Sequence, residues 1–318
     1  MTAYITHTDC LKHDMGSHHP ESPARLRAIN DHLRATGVLD LVTLLDAPLA
    51  DAEDLKRVHA AHYVDAVFEQ APTDDDRMLQ LDGDTLMNVH SLSAARRAAG
   101  AGIMAVDEVM TDHVENRART AFCAIRPCGH HATRSRAMGF CIFNNIGVAA
   151  AHAIAAHGLE RVAIIDFDVH HGNGTEDMFS PKEWHDKVLM ASFFQHPFYP
   201  YSGTEMPAAN MINIPVPQGA SGKVVRPKIE AEWLPALDQF KPQLILISAG
   251  FDAHRDDDLG QMALVEDDYV WMTEQLMNVA AKHAKGRVVS MLEGGYNLDA
   301  LKRSVAAHVR TLVEYRAG

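Results

Sequence analysis

Short, unbroken runs of Val, Ile, Leu and Ala recur along this chain, each followed by a longer stretch with helical spacing. This alternation limits the fold more than any other feature. A run that is apolar at every position, rather than every second one, makes a strand that must be covered on both faces. That is the condition of a parallel sheet held between helices. The runs predict strands at 3–6, 121–126, 162–166, 188–192, 211–214, 244–248 and 288–292. Helical patterns fall near 22–36, 89–109, 144–157, 222–239, 266–284 and 298–315. Pro20 and Pro23 stand at the start of the first, and Gly37 and Gly158 stand where helices end. The expected fold class is α/β, a three-layer sandwich around a central, mainly parallel sheet. No repeat, low-complexity tract or linker divides the 318 residues, so one domain spanning 1–318 is expected.

Composition narrows the function classes. A formal charge of −13 argues against a nucleic-acid partner, which needs a basic face, and tolerates a cationic substrate or basic peptide. No apolar run approaches the roughly 20 residues that span a bilayer, and the N-terminus lacks the basic start and apolar segment of a signal peptide. The expectation is a cytoplasmic protein with no membrane partner. Cys10, Cys123, Cys128 and Cys141 are irregularly spaced and read as reduced thiols, not as a disulfide frame or a thiolate zinc site. Histidine is abundant, at 20 residues, and several stand in pairs.

Ligand sites in parallel sheets lie beyond the carboxyl ends of the strands. Four predicted strand ends run into the densest clusters of reactive residues: PCGHHA, FDVHHGNGT, AGFDAHRDD and EGGYN. If the strand stays extended through Asp166, Asp168 and His170, alternation places the three side chains on one face. Two carboxylates and an imidazole at a buried strand end are costly to desolvate without a counter-charge. The alternative is a hydrogen-bonded loop or an Asp–His ion pair. Asp252 beyond another strand completes an Asp-His-Asp set with an open position, as a catalytic zinc requires. Alone, it reads equally as a helix N-cap. Gly129-His130-His131 offers candidates for a general base. Glu293-Gly294-Gly295-Tyr296 by itself reads as a glycine-rich turn with a packing tyrosine.

Taken together, RPCGHHA, GFCIFNN, DFDVHHGNGT, AGFDAHRDDDLG and EGGYN resemble the histone deacetylase family, within the arginase/deacetylase fold. The stretch His19-Pro20-Glu21-Ser22-Pro23-Ala24-Arg25-Leu26 resembles that family's opening motif. Asn173 and Leu259 look more like its class II branch and bacterial relatives. The resemblance implies one Zn2+ held by Asp168, His170 and Asp252, and a metal-activated water that attacks an amide carbonyl. It implies His131 as general base and acid with Asn173 behind it, His130 as an electrostatic partner backed by Asp166, and Tyr296 as the donor to the oxyanion. It further implies a structural K+ near Asp166, Asp168, His170, Ser192 and Phe193. Gly139, Phe140, Tyr199 and Leu259 would line an acyl-amine tunnel, with Asp84 at its rim. The chain departs from the family at Cys128, where a second proline is usual, and around Tyr199, where a phenylalanine is usual.

The expected activity is therefore hydrolysis of acetyl or other short acyl groups from amines, with acyl-lysine in a peptide or protein as the favoured substrate. Leu259 stands where polyamine-specific members carry an acidic gate, although another loop supplying the acid would give an acetylpolyamine deacetylase. A binuclear manganese ureohydrolase would give Tyr296 no role, and a non-catalytic acyl-lysine binder would not need the His131/Tyr296 pair. Fe(II) or Co(II) is compatible with the same ligand set. A homo-oligomer is compatible with everything in the sequence.

Overall fold

The computed structural model describes residues 1–111 and 119–316. Its strands are β1 (Thr2–Thr6), β2 (Val42–Asp46), β3 (Leu79–Gln80), β4 (Leu86–Met87), β5 (Thr120–Cys123), β6 (Val162–Asp166), β7 (Val188–Gln195), β8 (Met211–Val216), β9 (Leu244–Ala249) and β10 (Val288–Leu292). The helices are α1 (Pro23–Ala35), α2 (Ala52–Leu55), α3 (Ala61–Gln70), α4 (Ser91–Met110), α5 (Asn145–His157), α6 (Asn173–Phe179), α7 (Gly222–Lys228), α8 (Leu234–Phe240), α9 (Glu266–His283) and α10 (Leu298–Glu314).

Eight strands form one sheet in the order β2-β1-β5-β10-β9-β6-β7-β8, and every neighbouring pair is parallel. Helices α4 and α5 pack together on the sheet, and α1, α10 and α9 form a second packed set against it. The α/β three-layer expectation holds. Strands β5, β6, β7, β9 and β10 are buried along their whole length, as uninterrupted apolar runs require. Among the described residues, no helix is long and apolar enough to cross a membrane.

Local chemistry sets the boundaries. Pro23 occupies the first turn of α1, where its missing N–H is not needed. Asn144 accepts from the Gly147 N–H to cap α5, and Gly158 ends that helix in the left-handed region at φ 64°. Three expectations change. The strand expected at 121–126 stops at Cys123. The single helix expected over 222–239 is α7 and α8 joined by a wider π turn at Ile229–Trp233, flanked by Pro227 and Pro235, neither of which can donate a backbone hydrogen bond. Strand β2 has no counterpart among the expected strands. It is an edge strand with three exposed residues, so no continuous apolar run marked it.

Candidate active site

The four reactive clusters follow β5, β10, β9 and β6, which are adjacent in the middle of the sheet. They meet at the floor of a cavity of about 250 Å3 lined by His131, His170 and Tyr296, with Gly139, Phe140, Phe198, Tyr199, Asp84, Asp258 and Leu259 around them.

At the floor, ligand-capable atoms of Asp168, His170 and Asp252 all lie within 4.8 Å of one another. The extended face expected over 166–170 does not form. Asp166 Oδ1 accepts the Asp168 N–H (3.1 Å) and Asp168 Oδ1 accepts the His170 N–H (2.9 Å). These two side-chain-to-backbone turns end β6 at Asp166 and curl the chain. Asp166 is thereby aimed at His130, while Asp168 and His170 converge on Asp252. Further hydrogen bonds fix the carboxylates: Gly294 N–H donates to Asp168 Oδ2 (2.9 Å) and Val169 N–H to Asp252 Oδ1 (2.9 Å). The other oxygen of Asp252 is buried and has no hydrogen-bond partner.

This trio carries more negative charge than its setting tolerates. Burial, together with the neighbouring Asp168 charge, pushes the Asp252 carboxyl up to about 7. Burial would lower His170, but its hydrogen bond to Asp168 and the Asp252 carboxylate 3.3 Å from Nδ1 outweigh it and raise the imidazole to about 10. Two carboxylates and an imidazole sharing protons, with one oxygen orphaned, fit a divalent cation of borderline hardness such as zinc.

The imidazoles of His130 and His131 lie tilted against each other at 44°, with centroids 4.0 Å apart. His130 Nδ1 lies 2.9 Å from Asp166 Oδ2, and His131 Nδ1 lies 2.7 Å from Asn173 Oδ1. Burial opposes charge on both rings, but at His130 the Asp166 and Asp168 carboxylates overcome it and hold the ring well above its ordinary value. At His131 burial and the charge on His130 act together and hold it well below. Tyr296 sits against Phe140 edge-on at 5.9 Å, with the Arg25 guanidinium 4.9 Å over its ring. Burial keeps its phenol well above the ordinary range, hence protonated.

The walls include every residue expected there and two others. Gly139 and Phe140 both adopt positive φ, 56° and 69°. A Cβ at Gly139 would stand 2.5 Å from the His131 ring, so only glycine fits against the imidazole. Tyr199 meets His131 edge-on at 5.3 Å, but it is Phe198 that lies flat on His170, centroids 5.5 Å apart at 18°. The aromatic wall is thus two residues rather than one. Asp84 lines the cavity with its carbonyl 3.2 Å from His19 Nε2, and the exposed Asp258 lines it beside Leu259. Asp166 and Ser192 are register partners on β6 and β7, and Ser192 and Phe193 are fully buried there.

Sequence reasoning gave no role to two carboxylates that hold the site together. Glu293 Oε2 accepts the N–H groups of Gly129 (2.7 Å) and His130 (3.1 Å), fixing the loop that carries both imidazoles. Burial pushes this carboxyl up to about 7. Asp257 Oδ2 accepts the N–H groups of Tyr296 (2.6 Å) and Asn297 (2.9 Å), and its Oδ1 accepts that of Leu259 (3.0 Å). Asp257 is the middle of three consecutive aspartates, and nothing local distinguishes the buried one. Beneath them, fully buried Glu21 pairs with Arg126 and Arg25, and Arg25 Nε donates to the Gly295 carbonyl at 2.6 Å. The opening HPESPARL motif is therefore a brace under the tyrosine loop.

Comparison with known proteins places this geometry. Residues 19–312 match the family model described as histone deacetylase domain. An uncharacterised protein of Synechocystis is 38% identical over 98% of this chain and all of its own length. A histone deacetylase-like amidohydrolase of Pseudomonas aeruginosa is 36% identical, covering 93% of this chain and 82% of that protein. The crystal structure of the HDA15 HD domain superposes with a TM-score of 0.88 at 34% identity, over 98% of this chain and 88% of the other.

Proposed function

The chain belongs to the histone deacetylase family and is a hydrolase of amide bonds, and from that premise we propose that it removes acetyl or other short acyl groups from acyl-lysine in peptides or proteins. One observation carries this reading. His170 of the Asp168-His170-Asp252 trio, in which one Asp252 oxygen is orphaned, lines the same cavity as His131 and Tyr296.

The three residues would hold one zinc ion, which supplies a Lewis acid that polarises the amide carbonyl and acidifies water. The chain's own groups do the rest. With Nδ1–H directed at Asn173 Oδ1, the neutral His131 leaves its Nε2 free to take a proton from water and return it to the departing amine. The positive charge that Asp166 sustains on His130 keeps His131 from protonating prematurely, and it favours negative charge at the carbonyl. The protonated Tyr296 hydroxyl donates to that oxygen as it becomes an oxyanion. Phe140, Phe198, Tyr199 and Leu259 give the cavity apolar walls suited to a methylene chain. The buried corner where Asp166 and Ser192 pair, with Asp168, His170 and Phe193, would take a structural potassium ion.

A second reading has its own support. Asp84 and Asp258 both line the cavity, and carboxylates there favour an acylated polyamine, whose distal amine is cationic. The deciding experiment compares acetyl-lysine peptides with acetylputrescine, with and without chelator. We expect the peptides to be hydrolysed faster, activity to vanish with chelator and return with zinc, and Tyr296→Phe to lower kcat by about 10²–10³. A preference for acetylputrescine above about tenfold, or ~1.4 kcal/mol in the barrier, selects the polyamine reading. No turnover of any acylated amine by the zinc-loaded protein overturns both.

A further inference from the structure

Two cysteines flank the site without any role in the reaction just derived. Cys128 stands two residues before His130, and Cys141 directly follows Phe140. The fold brings their sulfurs to 3.4 Å, the edge of van der Waals contact. Both thiols point at the same acceptor: Cys141 Sγ is 3.3 Å and Cys128 Sγ 3.9 Å from the Gly139 carbonyl. With Ala132 they form a small apolar cluster of their own, against which Phe140 packs. The other two thiols, Cys10 and Cys123, are buried elsewhere in the main core.

We propose that Cys128 and Cys141 form a reversible disulfide that joins the histidine loop to the cavity wall and switches the enzyme off. The oxidant is a peroxide. The sulfur of Cys128, a buried residue but the less completely buried of the two, attacks a peroxide oxygen. The O–O bond breaks, water leaves, and a sulfenic acid remains. The Cys141 sulfur then displaces that hydroxyl, which departs as water with the Cys141 proton. Two thiols lose two electrons and two protons, and the peroxide becomes two waters. Burial holds the Cys141 thiol well above its ordinary value, so cross-linking is slow at neutral pH and faster in mild alkali.

The consequence follows from contacts. A disulfide requires the sulfurs to close to about 2.05 Å, a movement of more than 1 Å from their present separation. Closure draws Cys141 towards Cys128 and strips the Gly139 carbonyl of both S–H donors. Gly139 abuts the His131 ring so closely that a Cβ there would stand 2.5 Å from it, and Phe140 packs on Tyr296. The shift therefore reaches the base and the oxyanion donor together.

The test treats zinc-loaded protein with hydrogen peroxide, then counts thiols under denaturing conditions, maps cross-linked peptides by mass, and assays amide hydrolysis before and after dithiothreitol. Two of the four thiols should be lost. The peptides carrying Cys128 and Cys141 should appear joined, lighter by two hydrogens. Activity should fall at least about tenfold, the scale of a misplacement near 1 Å, and return on reduction. Cys128→Ala should keep its activity and resist the oxidant. The proposal fails if mapping finds Cys10 joined to Cys123 instead, if all thiols persist, if the cross-link leaves activity unchanged, or if Cys128→Ala is inactivated like the wild type. The assay rests on the proposed hydrolase reading. The mapping does not, so a protein that cross-links but hydrolyses nothing would sink that reading and leave the bridge standing.

Discussion

His130 and His131 are chemically identical neighbours whose surroundings drive them apart, one backed by a carboxylate and the other by an amide. The amide matters because it orients His131 without adding negative charge, leaving burial and the charge on His130 to depress its proton affinity. His131 must be neutral to act as a base, so the acid limb of kcat/KM should lie well below pH 6.5, the ordinary histidine value. Asn173→Asp places a carboxylate 2.7 Å from Nδ1 and should raise the His131 proton affinity. The limb should then move to higher pH, with activity lost first on the acid side. A pH–rate profile of the two proteins checks this, and superimposable acid limbs would contradict it.

At the scale of the element, the site is a set of loops held by carboxylates that touch no substrate. Asp257 collects three backbone N–H groups and thereby ties the tyrosine loop to the loop that carries Leu259. Asp257→Ala leaves those donors without their acceptor. It should cost about 3 kcal/mol of stability and lower kcat by about tenfold or more through a displaced Tyr296, with KM little changed. Calorimetry and steady-state kinetics read the two effects separately. An unchanged Tm together with an unchanged kcat would remove Asp257 from this positioning role. The same logic explains why Asp166 and Asp168 differ in task although they are two residues apart. Each uses one oxygen to bend the backbone and has the other free for a partner, His130 for one and Gly294 for the other.

For the molecule as a whole, several titratable groups are buried in one charge state, and this fixes its response to acid. His13 and His59 are pushed down to about 4 and His308 to about 3, in each case chiefly by burial. His308 is held neutral between the hydroxyls of Thr273 (2.7 Å) and Ser290 (2.8 Å). Below their ordinary value of 6.5 the unfolded chain takes up protons at these three sites that the fold refuses, so their contribution falls as pH falls from 6.5 through 4. Asp252 and Glu293, raised to about 7, take up protons first in the fold and oppose that fall over the same window. Glu21 adds to this at lower pH. Burial would raise it, but Arg126 holds it to about 2 against an ordinary 4.5, so its stabilisation is present above 4.5 and lost towards 2. Thermal melts of the wild type and of His308→Gln should show the gap in Tm between them narrowing from pH 6.5 to 4, because only the wild type loses the contribution of the neutral histidine. A constant gap across that window would mean that His308 is not buried neutral.

The apolar runs by themselves determined the parallel sheet, because a strand hydrophobic at every position has only one stable environment. The rule that parallel sheets bind at their carboxyl ends then picked out Asp168, His170, Asp252, His130, His131 and Tyr296 as neighbours, and the structure brings all six into one site. What sequence patterns could not supply was the set of contacts made between distant segments. Two aspartate side chains bend 166–170 away from a strand, so Asp168 and His170 come together by a route other than the expected alternation. Glu293, Asp257, Glu21 and Arg126 act through hydrogen bonds to partners tens to hundreds of residues away, which no local periodicity records. The proximity of Cys128 and Cys141 is likewise a product of two loops meeting, and their irregular spacing in the chain gives no hint of it.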